Sequence, residues 1–154
     1  MPEDTTHSDQ EPVRKPGHYG QEEIAASHLQ SWPNPSPDRP YTIDLSIPEF
    51  TCLCPQSGFP DFATIRIDYT PQDAVVELKS LKLYINQFRD QAMSHEEIPN
   101  RILDDLVDLL HPRRMYVTAL FNVRGNISAT VTAAYTSTSS SFSDGRWSSY
   151  SSIS

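Results

Sequence analysis

The order of its periodic segments limits the folds open to this chain more than any other feature of the sequence. From Tyr41 to Ile47, and again from Phe62 to Tyr69, apolar residues alternate with polar ones, which is the period of a half-buried β-strand. From Pro99 to Leu110 the apolar residues lie on one helical stripe instead, with aspartates outside it. The sequence therefore predicts two strands and an amphipathic helix, which Pro112 ends.

Weaker patterns lie between these segments and after the last of them. After a turn, Ala74–Val76 predicts a short strand that pairs with the preceding strand as a hairpin. Residues 83–91 have helical character. Residues 115–123 and 127–135 alternate on either side of Arg124-Gly125-Asn126, which predicts a second hairpin.

Apart from the short strand at residues 74–76, the resulting order is strand, strand, helix, helix, strand, strand, which is that of an α+β domain that we place at residues 41–136. Its most economical architecture is an antiparallel four-stranded sheet with two helices on one face. A sheet of this size leaves its edges and part of a face uncovered, and association with further copies would cover them. The sequence therefore predicts a homo-oligomer.

The two ends differ from this domain in composition. Residues 1–40 are rich in charge and proline, which suppresses regular structure and offers little to bury, so we expect a flexible N-terminal arm. A short helix near residues 22–30 is compatible with the sequence of this arm. Serine dominates residues 137–154, a low-complexity tail that we expect to be disordered.

Charge and hydropathy restrict the partners of the chain. Its formal net charge is -8, so it makes a poor general nucleic-acid binder, and we expect a small-molecule substrate instead. No apolar run is long enough to span a bilayer, and the first residues lack the pattern of a secretory signal. Cys52 and Cys54 are awkwardly placed for bridging, so we expect free thiols in a cytoplasmic protein without membrane contact.

A nucleophile and an acid lie seven positions apart in the segment Cys54-Pro55-Gln56-Ser57-Gly58-Phe59-Pro60-Asp61. The two prolines favour extended backbone before them, and Gly58 permits a turn between them. Such a loop can hold the side chains of Cys54 and Asp61 in a fixed relation, as covalent catalysis requires.

Each residue of this pair has an expected environment. Cys54 needs a lowered pKa to react as a thiolate, and nearby His95 or a lysine is the expected cause. Asp61 stands between Pro60 and Phe62, and apolar surroundings favour the protonated form that an acid needs. On these residues alone, a buried packing cysteine and a turn aspartate are the commoner roles.

The segment Ser94-His95-Glu96-Glu97 can begin its helix in two ways. Ser94 and Glu97 can form a capping box, which leaves His95 and Glu96 on the first turn. Pro99 disfavours a helical residue before it, so the same two residues can instead lie in the turn that leads into the helix. In both cases their side chains project from the end of the element.

Three separated blocks of the sequence resemble a known enzyme family. The blocks are Phe50-Thr51-Cys52-Leu53-Cys54-Pro55, Glu77-Leu78-Lys79-Ser80-Leu81-Lys82-Leu83-Tyr84 and His95-Glu96, and the similarity covers roughly residues 41–127. The family is that of the single-domain NADPH-dependent nitrile reductases, which convert 7-cyano-7-deazaguanine to 7-aminomethyl-7-deazaguanine. This reaction belongs to the biosynthesis of queuosine, a modified nucleoside of tRNA. After Gly125 the sequence departs from the family pattern.

The resemblance implies a fold, an assembly and a reaction. The fold is the tunnelling fold, and the assembly is a pentameric ring stacked into a decamer, with active sites between subunits. The reaction is reduction of the deazapurine nitrile with NADPH as the cofactor, through a thioimide on the cysteine.

The resemblance also implies roles for individual residues. Cys54 would be the nucleophile and Asp61 the proton donor to the nitrile nitrogen, with His95 beside the reaction centre as a third catalytic residue. The implied substrate-binding residues are Val76, Glu77, Leu78, His95 and Glu96, and the Glu96 carboxylate would accept hydrogen bonds from the pyrimidine edge of the base. The implied cofactor-binding residues are Lys79, Ser80, Lys82 and Arg124.

Other functions stay open at this point. A non-redox relative on the same fold uses a thioimide to transfer an amino group, although the intact Lys79-Ser80-Leu81-Lys82 argues against it. A purine- or pterin-binding module would leave Cys54 inert. We expect no metal site, because Cys52 and Cys54 have no second cysteine pair to complete a ligand set. A Rossmann domain is excluded, because its glycine-rich fingerprint is absent.

Overall fold

An antiparallel sheet with helices packed on one face makes up most of the computed structural model, which describes residues 19–138. In chain order the elements are α1 (Tyr19–Ala26), β1 (Ser31–Pro33), β2 (Ile43–Leu53), β3 (Pro60–Thr70), β4 (Ala74–Val76), α2 (Leu78–Asn86), a 3₁₀ turn (Gln87–Asp90), α3 (Glu97–Leu110), β5 (Arg114–Arg124) and β6 (Ile127–Thr136). The larger sheet has the strand order β2-β3-β5-β6, and each neighbouring pair is antiparallel. The predicted α+β class and four-stranded antiparallel sheet are confirmed.

The core lies between this sheet and the helices. On β3 the side chains of Ile65 and Ile67 are fully buried, whereas Arg66 between them is exposed, as strand alternation requires. The apolar stripe of α3 packs against the same face, with Ile102 and Leu106 fully buried. Each such side chain contributes about 1.5–3 kcal/mol through its removal from water. This burial fixes which face of β3 points toward the helices.

The partner of β4 differs from the sequence prediction. Ala74–Val76 does not form a hairpin with β3, because β2 and β5 already occupy both edges of that strand. It pairs instead with β1 in a separate antiparallel ribbon, in which Trp32 lies opposite Val75. The proline-rich segment before residue 41 therefore supplies a strand to the folded unit.

Other contacts also attach residues 19–40 to the domain. The side-chain amide of Asn34 donates to the Gln72 carbonyl at 2.7 Å, and its oxygen accepts the Tyr41 hydroxyl at 2.6 Å. The Gln87 amide donates to the carbonyls of Ile24 and Ser27. The folded unit thus begins upstream of the boundary expected at residue 41. Residues 1–18 and 139–154, with most of the expected arm and tail, lie outside the described residues.

The two main helices begin at hydrogen-bonded caps. Helix α2 starts at Leu78, earlier than residue 83, because the Glu77 carboxylate accepts the backbone N–H groups of Lys79 and Ser80 at 2.8 and 2.6 Å. Before α3, Ser94 and Glu97 form the reciprocal bonds of a capping box. Within residues 19–138, no helix is long and apolar enough to cross a membrane.

Candidate active site

The loop between β2 and β3 carries Cys54 and is closed by its own backbone. The Cys54 N–H donates to the Phe59 carbonyl at 2.8 Å, and the Gly58 N–H donates to the Cys54 carbonyl at 2.9 Å. Gly58 has a φ of 69°, a left-handed conformation that favours glycine. The turn expected at Gly58 is therefore present, and it leaves the Cys54 side chain partly exposed.

The thiol of Cys54 has a lowered pKa, as expected, but from a different cause. The Ser57 hydroxyl is the main donor that stabilises its thiolate, followed by the backbone N–H groups of Ser57 and Gln56. The donors that lower this pKa most belong to the Cys54 loop itself and not to His95 or a lysine, which corrects the sequence expectation. Burial raises the pKa of Cys52 to about 11, with added repulsion from Asp61 and Cys54. Of the two thiols, Cys54 is the one disposed to ionise.

Replacing Ser57 with alanine is expected to raise the pKa of Cys54, because it removes the hydroxyl donor. Those hydrogen bonds favour the thiolate, so its formation moves to higher pH once a donor is lost. The measurement is the rate of Cys54 alkylation by iodoacetamide as a function of pH, followed by peptide mass spectrometry. Ser57→Thr keeps a hydroxyl and should retain the wild-type profile. An unshifted profile in Ser57→Ala would refute this role.

Asp61 is a buried carboxylate with polar contacts rather than apolar ones. It lies on β3 opposite Cys52 and is 3% exposed. Strand alternation turns its neighbours Pro60 and Phe62 toward the open face, where both are exposed. Arg124 Nη1 contacts Asp61 Oδ1, and His95 Nε2 lies 3.5 Å from Oδ2. The apolar flanks invoked from sequence are therefore not the environment of this carboxyl group.

His95 is held against Asp61 by contacts that the sequence did not reveal. Its ring stacks on Phe121 of β5, with centroids 3.8 Å apart and planes 10° from parallel. The chain before it is tied to the end of β2, since Leu53 N–H donates to the Gln91 carbonyl at 2.9 Å and Met93 N–H donates to the Leu53 carbonyl at 3.1 Å. These bonds bring His95 to the end of the sheet that carries Cys54 and Asp61.

The remaining substrate-binding candidates occupy different environments. Glu96 is exposed at the start of α3, in the lead-in turn, and its carboxylate makes no capping hydrogen bond. Both carboxylate oxygens of Glu77 are taken by the cap of α2, which lowers the pKa of that group. Val76 is buried, whereas Leu78 is exposed. Glu96 is thus the free carboxylate of this set, and Glu77 has a structural role.

The cofactor candidates lie on two elements of this chain, α2 and the end of β5. Lys79 and Lys82 are exposed and lie three positions apart on α2, so their ammonium groups share a face. The Ser80 hydroxyl is buried, donates to the Glu77 carbonyl at 2.8 Å and accepts the Gln30 N–H at 3.0 Å. Within this chain the Ser80 hydroxyl therefore links the start of α2 to the segment before β1. Arg124 contacts Asp61.

No grouping of three or more His, Cys, Asp or Glu side chains suited to a metal ion occurs between residues 19 and 138. The Asp61 and His95 pair contacts Arg124 instead, whose positive charge repels a metal cation. The groups present near the Cys54 thiol are a carboxylate, an imidazole and a guanidinium.

Comparison with known proteins places this arrangement in a family. A family model described as QueF-like protein matches residues 60–140, a span that includes Asp61, His95 and Arg124. The chain belongs to the QueF-like family. This confirms the resemblance drawn from the three sequence blocks.

Several curated relatives of this QueF-like chain are named NADPH-dependent 7-cyano-7-deazaguanine reductase. The relative from Nitrosococcus oceani is 58% identical over 107 residues, which cover 70% of this chain and 83% of the relative. The relative from Aquifex aeolicus is 53% identical over 113 residues, covering 73% and 88%. Among solved structures, the chain is similar to the archaeosine synthase QueF-Like in its apo form, with a TM-score of 0.59 and 22% sequence identity. The match covers 63% of this chain and 95% of that chain, and it supports the QueF-like fold.

Proposed function

We propose that this chain is an NADPH-dependent reductase that converts the nitrile of 7-cyano-7-deazaguanine to the amine of 7-aminomethyl-7-deazaguanine, within queuosine biosynthesis. The observation that carries the proposal is the placement of a partly exposed thiol of lowered pKa near the buried Asp61, which pairs with the half-buried His95. The reductase name shared by relatives more than 50% identical supports the choice of substrate and cofactor.

The first step is addition of Cys54 to the nitrile carbon. The thiolate donates an electron pair to form the S–C bond, one C–N π bond breaks, and the nitrogen takes up a proton to give a thioimide. Asp61 and His95 form the proton-bearing pair at this end of the sheet, with His95 Nε2 3.5 Å from Asp61 Oδ2. We assign them the delivery of that proton.

Reduction of the thioimide to an amine takes up two hydrides and one further proton and releases the Cys54 thiolate. NADPH, when bound, supplies one hydride for each of the two reductions. Between them the C–S bond breaks, Cys54 leaves as a thiolate and an imine remains. The donors around Cys54, led by the Ser57 hydroxyl, stabilise the departing thiolate as they do the free one. Exclusion of water would protect the imine from hydrolysis.

We assign the phosphates of NADPH to Lys79 and Lys82. Both ammonium groups are exposed on the same face of α2, and the Glu77 carboxylate nearby is occupied by the helix cap, so a phosphate can approach them. Arg124 retains donors beyond the Nη1 that contacts Asp61, and its side chain is 44% exposed. These cations fit an anionic cofactor.

A second copy of the chain is the proposed cover for this site. In the described part of the chain, β2 and β6 are the edges of the larger sheet and each has one strand neighbour. Phe62, Val123 and Ile127 are large apolar side chains that remain more than half exposed near the end of the sheet that carries Asp61 and Arg124. We propose a homo-oligomer of tunnelling-fold subunits, a decamer by resemblance, with the site completed between copies.

The reaction is proposed to take place in the cytoplasm on the free base. Cys52 and Cys54 are both unbridged, which suits a reducing compartment. The net charge of -8 disfavours direct binding to the polynucleotide.

The proposed function is tested by mixing the protein, NADPH and 7-cyano-7-deazaguanine and following the absorbance of NADPH. We expect oxidation of two NADPH per nitrile consumed, and none without the nitrile. An adduct without NADPH oxidation would indicate the amino-transferring relative instead. Binding of the base without adduct or oxidation would indicate a purine- or pterin-binding module.

Replacing Glu96 with glutamine is expected to weaken binding of the nitrile base. The change removes the charge from a carboxylate that would accept adjacent N–H donors, and charge-assisted bonds contribute about 1.5–3 kcal/mol, which corresponds to roughly a 10- to 150-fold rise in Kd. Calorimetric titration on a Cys54→Ala background measures binding without reaction. Asp104→Asn, an exposed carboxylate on the outer face of α3, is the matched control. Unchanged affinity in Glu96→Gln would remove Glu96 from the base site.

A further inference from the structure

Arg124 reaches Asp61 because β5 contains an extra residue. Phe121 pairs with Ala129, and the next recorded pair is Arg124 with Ile127, so β5 advances by three residues where β6 advances by two. In a regular strand Arg124 would point to the face opposite Phe121, since their numbers differ by an odd step. A bulge of one residue reverses that direction and re-aims the side chain. Arg124 therefore joins Phe121 and His95 on the helix-covered side.

The carboxylate that Arg124 contacts on that side, Asp61, is almost completely buried. Asp61 is 3% exposed, and its oxygens are divided between two partners: Oδ1 meets Arg124 Nη1, and Oδ2 faces His95 Nε2. A buried carboxylate is stable only when it is paired and hydrogen-bonded. Arg124 also restricts rotation of the carboxyl group, because a hydrogen bond to one oxygen fixes where the other points.

We infer that Arg124 is a positioning residue for Asp61, holding Oδ1 so that Oδ2 faces His95 and the reacting nitrogen. The inference rests on the proposed function, since it concerns proton delivery in the addition step. Arg124 acts through Asp61 and not on the substrate. The role is separate from the cofactor contact expected from sequence, and the two are compatible because a guanidinium has five N–H donors.

The two roles of Arg124 have different signatures in experiment. Addition of Cys54 to the nitrile consumes no NADPH, so a residue that served only the cofactor would leave this step unchanged. A residue that positions Asp61 alters the addition step even when NADPH is absent. In steady state, loss of a cofactor contact raises KM for NADPH, whereas loss of acid positioning lowers kcat at saturating NADPH.

The test measures the rate of thioimide formation without NADPH, by quenched-flow sampling and intact mass spectrometry. Arg124→Ala is expected to slow the reaction on the order of 100-fold, the effect of misplacing a catalytic group by about 1 Å. Arg124→Lys keeps a cation that can reach Oδ1 and should recover part of the rate. Arg101→Ala is the matched control, because Arg101 is likewise an exposed arginine that pairs with a less exposed carboxylate, that of Asp105. It should react at the wild-type rate.

The outcomes separate the inference from the function on which it rests. If Arg124→Ala and wild type form the adduct at the same rate, the positioning role is refuted and the proposed function is unaffected. If wild type forms no adduct, the proposed function itself fails. Should Arg124→Ala not fold, as judged by circular dichroism, Arg124→Gln is used with the same criterion, since it keeps one donor but loses the charge. A slowed rate with a wild-type KM for NADPH supports the positioning role alone.

Discussion

Cys54→Ala is expected to abolish reduction of 7-cyano-7-deazaguanine while leaving the protein folded. Without the thiolate no thioimide forms, and direct hydride transfer to a nitrile is slow, so the rate should fall on the order of 10⁴-fold or more. The fold should persist because the side chain is partly exposed and the loop is closed by backbone hydrogen bonds that alanine retains. NADPH oxidation measures the first effect, and circular dichroism the second.

Cys52→Ala provides the matched control for this substitution. Cys52 lies two residues away and is fully buried, and burial raises its pKa to about 11, so it holds almost no thiolate at neutral pH. Its replacement should retain near wild-type activity, with a stability loss of about 1 kcal/mol from the small cavity. NADPH oxidation that survives Cys54→Ala, or that is lost in Cys52→Ala despite a native fold, would contradict the assignment of the nucleophile.

Asp61→Asn is expected to give the second largest loss, about 10²- to 10⁴-fold in turnover, the range for removal of a general acid or base. Asparagine has nearly the same shape and can still accept a hydrogen bond from Arg124, but it cannot donate a carboxyl proton or pair with a protonated His95. The loss should appear both in NADPH oxidation and in adduct formation without NADPH.

A carboxylate elsewhere on the same strand controls for the loss of charge. Asp68 lies on the face of β3 opposite to that of Asp61. Its Oδ1 is 3.7 Å from Arg114 Nη2, and it makes no contact with the candidate site. Asp68→Asn should turn over at the wild-type rate. If Asp61→Asn were equally active, proton delivery would have to come from His95 or water, and the assigned role of Asp61 would be wrong.

Local periodicity was sufficient to predict the main strands and α3, but not the pairing of β4. Alternation along β3 and the apolar stripe of α3 record which face of each element is buried, and burial dominates their stability. The partner of Ala74–Val76 is Ser31–Pro33, more than forty residues away. A three-residue strand in a proline-rich segment has no period of its own, so composition suggested a flexible arm instead.

The site was predicted in part because Cys54 and Asp61 belong to one hairpin. The turn at Gly58 fixes the position of Cys54 relative to Asp61, and Gly58 between two prolines predicts that turn from the sequence. The stacking of His95 on Phe121 and the reach of Arg124 depend on long-range packing and on a bulge, neither of which leaves a local signal. The donors to Cys54 were closer at hand, since Ser57 lies in the same loop.

The most direct test of the account is whether the nitrile becomes bonded to Cys54 in the absence of NADPH. Wild-type protein incubated with 7-cyano-7-deazaguanine alone should gain the mass of one base per subunit, and peptide mapping should locate that mass on Cys54. Cys54→Ala should gain none. A wild-type protein that reduces the nitrile but never carries the base, or that carries it on Cys52, would contradict the proposed mechanism.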